Sequence, residues 1–146
     1  MTTDKDALDM FEMMDKAEEQ RLVNYNHITY LLYLVSYFTA GLLWIVPIIL
    51  NYLKRNDAKG TWLASHFTWQ IHTFWYSIIG CVIGIAVMFF SAGSLGISAF
   101  TESQNLAVSS FLIFGMGALL FLLSILWHLY RIVRGWIALT NREGLS

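Results

Sequence analysis

Charge is what this chain has least of. Between Arg21 and Lys54 it has no Asp, Glu, Lys or Arg, and between Lys59 and Arg131 the only one is Glu102. A soluble domain carries roughly 25% charged residues spread along its length. Here charged residues are 13% and hydrophobic ones 57%. The pattern excludes an ordinary water-soluble domain. The 146 residues allow one domain. Cysteine is nearly absent as well: Cys81 stands alone inside an apolar run, so no intramolecular disulfide can form. Basic residues form no long patch of the kind nucleic-acid binders carry, which excludes that class. The start is acidic, unlike the basic and apolar start of a cleavable signal peptide.

What charge there is divides unevenly. Residues 1–26 hold seven acids against three bases, net −4. The remainder holds six bases and three acids, net +3. Residues 4–23 have Leu8, Phe11 and Met14, with Met10 and Ala17 beside them, at spacings of three and four. This predicts an amphipathic helix, read either as a solvated, partly frayed acidic leader or as one that docks on a partner or on the protein's own basic surface. Lipid binding by this helix is disfavoured, because such helices are Lys- and Arg-rich.

Three apolar segments follow within a single helical membrane domain, 27–146. The first, 28–53, makes roughly 39 Å of helix. Pro47 predicts a kink in a single span; the rival reading is a re-entrant hairpin that breaks near Thr39–Gly41. The polar loop 54–60 then leads to Thr61, expected to cap a short interfacial helix. The second segment runs from Ile71 to Phe100. Its Gly-Ser-rich end is expected to fray or bend before a turn at Thr101–Asn105. The third runs from Leu106 to Val133. Gly80 and Gly84 present a close-packing face whose partner is Gly115, Gly117 and Ala118. The predicted fold class is an all-α integral membrane protein.

The densest stretch is Lys59–Gly80, with Trp62, Trp69 and Trp75 and with His66 and His72. Aromatic rings with polar handles favour the membrane–water boundary, and arginines snorkel there. Lys54, Arg55, Trp62, His66, Trp69, Gln70, Trp127, Tyr130, Arg131, Arg134 and Trp136 therefore read as an interfacial belt for anionic headgroups or a partner. Asn51 and Gln70 are expected to reach the interface. The basic loop and tail place the C-terminus in the cytoplasm.

No nucleophile–base pair, phosphate loop or Cys/His metal pattern appears, so the chain reads as non-enzymatic and without cofactor. Two alternatives stand beside that reading. His72 and His128, expected at similar depth, would serve a haem-binding or redox subunit. Glu102, if embedded, would serve a small transporter or channel; its polar neighbours read instead as a wet loop.

HITYLLYLVSYFTAGLLWIVPIILNYLKRNDAKGTWLASHFTWQIHTFWYSII, with WHLYRIVRGWIALTNRE after it, resembles a family of small, mostly uncharacterised proteobacterial inner-membrane proteins. That family is similar in pattern to the membrane subunit of the chloroplast inner-envelope (Tic) protein-import translocon. The more specific pieces are Tyr52–Asp57, His66 with Gln70, and Tyr130–Trp136; the leader lies outside. The resemblance implies a helical inner-membrane protein with no established enzyme activity. It also implies a part in protein translocation or membrane-complex assembly, alongside another membrane protein or as a homo-oligomer. The plant family has four spanning helices against three apolar segments here, so a channel role does not carry over.

Overall fold

The computed structural model describes residues 2–39 and 41–145, and they are helical with no strand. Helix α1 is Thr2–Ser36, α2 is Ile45–Lys54, α3 is Leu63–Thr101 and α4 is Gln104–Thr140. Short 3-10 turns, Tyr37–Thr39 and Leu42–Trp44, lie between α1 and α2. The chain forms two compact units. The first holds residues up to Ile71 together with Ile132 onward; the second is His72–Arg131.

In the first unit the leader is not a separate element. It runs without a break into the first apolar segment as one 35-residue helix. That segment then reverses instead of spanning as one kinked helix. The Gly41 N–H closes back on the Ser36 carbonyl at 2.9 Å, and Gly41 sits at φ +82°, a conformation that favours glycine. The chain then returns along α1, so that the Tyr25 hydroxyl donates to the Leu50 carbonyl at 2.9 Å. Pro47 kinks nothing. It occupies the first turn of α2, where backbone N–H groups have no intrahelical acceptor and a missing donor costs nothing.

Two further expectations change here. Thr61 does not cap a helix with its side chain; its hydroxyl donates to the Ala58 carbonyl at 2.8 Å. No separate interfacial helix precedes the second segment, because α3 is continuous from Leu63 to Thr101.

The second unit is an antiparallel hairpin of α3 and α4. The Gly-Ser-rich end of α3 stays helical, and the turn is only Glu102 and Ser103. Glu102 is exposed there at φ +51°. Ser103 caps α4, its Oγ accepting the Leu106 N–H at 3.4 Å. The two helices meet along residues seven apart: Ser77, Gly84, Ser91 and Ser98 on α3, and Ser110, Gly117, Ser124 and Arg131 on α4. A seven-residue repeat keeps one seam facing the partner helix. The serine hydroxyls of the seam turn back onto their own helix, as Ser77 does to the Thr73 carbonyl at 2.7 Å, and present little bulk.

The closest approach is at Gly84 and Gly117. A Cβ on Gly84 would lie 2.9 Å from the Gly117 carbonyl oxygen, and one on Gly117 would lie 3.0 Å from that of Gly84. A Cβ on Gly80 would collide with Ser124 Oγ. Gly115 takes no part, since nothing lies within 4 Å of a Cβ placed there. Gly80 and Gly84 thus face α4 of the same chain, within the hairpin.

Replacing Gly84 with Leu should therefore cost about 1–3 kcal/mol, since the obstructing atoms are backbone, and lower the melting temperature of the purified protein. Gly115→Leu should leave that temperature unchanged. Equal effects from the two variants would refute this register.

Candidate functional site

The first unit encloses a knot of polar side chains. Asn26, Asn51, Gln70, Thr29 and His66 are wholly buried there, with Tyr30 and Tyr33 beside them. Three amides form a directed chain. Asn51 Nδ2 donates to Gln70 Oε1 at 2.9 Å, Gln70 Nε2 donates to Asn26 Oδ1 at 3.0 Å, and Asn26 Nδ2 donates to the Leu22 carbonyl at 3.0 Å. The chain crosses from α2 through α3 to α1. Aligned amide dipoles away from water polarise one another in the same sense. The Tyr33 hydroxyl lies next to the Asn51 amide.

A second line runs through His66. Its Nε2 is 2.9 Å from the Glu143 carbonyl, and its Nδ1 is 3.1 Å from the Tyr30 hydroxyl. A carbonyl only accepts, so Nε2 carries the proton. In the neutral ring Nδ1 then accepts from Tyr30. His66 is thus held as one tautomer by a backbone group 77 residues further along. His27 is fixed in the same way. The Trp136 indole only donates, and it does so to His27 Nδ1 at 2.8 Å.

The rim of the knot binds the leader and the tail. Trp62 Nε1 donates to Glu19 at 2.9 Å, Arg142 to Gln20 at 3.1 Å, and the Leu145 N–H to Ser65 Oγ at 2.9 Å. Beside it α1 and the α2–α3 loop enclose an open groove of about 560 Å³. Tyr25 lines the groove, and its phenol is pushed up by burial, against which the Lys54 charge works. Lys54 is itself raised by its 2.7 Å bond to Asp57.

This arrangement divides the expected belt. His66, Trp69 and Gln70 are core residues, and Asn51 is not at an interface. Trp62 and Trp136 turn their indoles inward onto Glu19 and His27. Lys54, Arg55 and Arg134 are exposed, Arg134 lying 5.5 Å over the Trp69 ring. In the second unit Trp127 and Tyr130 are exposed. Arg131 is half-buried, donating to Thr73 Oγ1 at 2.8 Å and lying 4.9 Å over the Trp127 ring. Ala118 is half-buried on α4. His72 is exposed and His128 is wholly buried. Among the described residues no group of three or more His, Cys, Asp or Glu could hold a metal ion.

Sequence reasoning missed Asn26, Tyr30 and His27. The signal was the density of polar atoms in Asn24-Tyr25-Asn26-His27-Ile28-Thr29-Tyr30, which reads as a segment edge unless a partner segment is known.

No protein-family model, curated protein or solved structure matches this chain.

The amide chain predicts a non-additive response. Gln70→Leu strands one donor on Asn51 and one acceptor on Asn26, each costing about 1–3 kcal/mol. Replacing Asn26, Asn51 and Gln70 together with Leu leaves none of the inter-amide bonds half-made and should melt above the single variant. A triple variant that melts below Gln70→Leu would show that the amides do not act as one chain.

Proposed function

We propose that this protein is a multi-pass protein of the bacterial inner membrane. It serves as a non-enzymatic accessory or assembly subunit of a membrane complex, in a translocation-related role. The observation that carries the reading is where the polar groups point. In the first unit Asn26, Asn51, Gln70 and His66 bond to one another, to Tyr30 or to the backbone, and these bonds hold segments together. What remains outward is surface.

The membrane setting has its own support. Two helices, α3 and α4, are long and apolar enough to cross a bilayer, and only 17% and 11% of their most apolar stretches is buried inside the chain. A core helix of a soluble protein would be mostly covered. Ile79, Ile83, Phe89 and Phe90 on α3, with Phe111, Met116 and Leu122 on α4, stand exposed. Lipid tails satisfy such side chains at no cost.

Sidedness follows from the first unit. Its loop carries Lys54, Arg55 and Lys59 and its tail carries Arg134 and Arg142, which favours the cytoplasm. The leader joins both through Trp62–Glu19 and Arg142–Gln20. With the first apolar segment re-entrant, the N-terminus and the C-terminus lie on that same side. The resemblance to the translocon-like family agrees with a subunit role and gives the translocation part of the proposal.

Two measurements test this. A cysteine placed at Leu8, in a Cys81→Ser background, should be shielded from a membrane-impermeant maleimide in intact spheroplasts and labelled after lysis; labelling before lysis would put the leader outside. Mass spectrometry of the tagged protein, purified from native membranes in mild detergent, should show a stoichiometric partner. Only the bare chain or its homo-oligomers would remove the accessory-subunit reading.

A further inference from the structure

The leader has an apolar face that the rest of the chain leaves uncovered. Ala7, Met10, Met14 and Ala17 follow one another at three- and four-residue steps, and Phe11 stands four after Ala7 and three before Met14, which puts all five on one side of α1. Phe11 is 65% exposed and Met14 61%. Among the described residues, the first hydrogen bonds from α1 to other segments are at Glu19 and Gln20, next to Glu18, whose charge acts on Lys54. The own-surface alternative, in which the leader folds onto this chain's basic residues, therefore does not account for this face.

The stripe does not end in open space. Met14 and Ala17 also line the groove of about 560 Å³, where Leu22 and Tyr25 continue the apolar wall and the charges balance, Glu18 and Asp57 against Arg21 and Lys54, so that the acidic excess lies along the stripe. Stripe and groove make one continuous surface, and the Ala7–Ala17 part alone is roughly 15 Å long. That is the shape of a helix-in-groove site, read by anchors at helical spacing. Its methionines are unbranched and adapt to varied apolar shapes.

Charge decides what lies on it. Asp9, Glu12 and Asp15 lie off the stripe on the same helix, and residues 1–26 as a whole are at net −4. A second copy's leader carries the same acids and is repelled. A bilayer surface wants Lys and Arg around such a stripe, and this helix has the opposite. We infer that the leader stripe and its groove dock an amphipathic helix of a partner protein whose apolar face is flanked by Lys and Arg. The inference deepens the accessory-subunit reading and rests on it.

The test uses the full chain in phosphatidylcholine nanodiscs and a fluorescent peptide of about 18 residues, long enough to form a helix when bound. Its leucines sit at helical spacing with lysines between them. Anisotropy is read against three controls: a scrambled peptide of the same composition, a Leu/Glu peptide of the same pattern, and empty nanodiscs. The striped Lys peptide should bind at least about tenfold more tightly than the scrambled and Leu/Glu peptides, as expected when a few anchors carry the energy. A Phe11→Asp, Met14→Asp double variant should lose about tenfold in affinity with an unchanged melting temperature, since both side chains are exposed.

Equal binding to the variant, or equal binding of the scrambled peptide, overturns the inference. Binding no stronger than to empty nanodiscs assigns the occupant as lipid. Dimers by mass photometry that vanish in the double variant assign it as a second copy; both outcomes overturn the inference. A failed peptide test leaves a co-purified partner standing at another surface, whereas purification without a partner removes the wider reading, so the two failures are distinguishable.

Discussion

The first unit depends on amides that water does not reach. Asn51, Gln70 and Asn26 come from three different helices, and each uses its carboxamide on the next. A buried amide without a partner costs far more than its bond gains. The constraint is therefore one of position: α1, α2 and the start of α3 must hold the registry that joins all three. The α1–α2 reversal at Gly41 and the inward indoles of Trp62 and Trp136 both serve that registry. Aromatic bulk seals the amides, and the sealing makes the hydrogen bonds directional anchors rather than solvated contacts.

The hairpin of the second unit uses another kind of cohesion. Its seam has almost no side chain to interlock. Serine and glycine at seven-residue spacing let backbones approach, with hydroxyls returned to their own helices. Contact there rests on shape and dispersion, which act only over short distances. One unit is thus specified by donors and acceptors, and the other by the absence of bulk.

How much of this the sequence displayed differs by element. The helical class and the two long apolar helices follow from the charge-free runs, because nothing else accommodates them. The reversal at Gly41 was visible as one of two readings, and Pro47 tipped the choice wrongly. A proline within an apolar run reads as a kink, but the same residue three positions after a break is a helix start, and only the break tells them apart. Gly80 and Gly84 were legible as a close-packing pair. The full seam needed a period-seven count, in which serine stands in for glycine and, of the expected Gly115 and Gly117, only Gly117 lies at the close approach. The knot was the least legible part. His66, Trp69 and Gln70 have the composition of an interfacial belt, and a linear chain does not show that residues 19–30 and 136–145 return to cover them. The acidic leader was read correctly as a helix, while its continuity with the first apolar segment was hidden by the change of composition at Leu22.

The bonds around His66 also fix an order of events. Its partner Glu143 is 77 residues away, Trp136 and His27 are 109 apart, and Arg142 and Gln20 are 122 apart. The hairpin turn at Glu102 joins neighbours in sequence. Contacts close in sequence form early, and those that close long loops form late. The hairpin can therefore assemble while the chain is still being made, as can the amide chain of residues 26–70, whereas the bonds to His66, His27 and Gln20 wait for residues 136–145 to be synthesised. Until then His66 lacks the Glu143 carbonyl that fixes its tautomer, and the half-made protein is an open form of the finished one. Whatever guides its biogenesis meets that open form first.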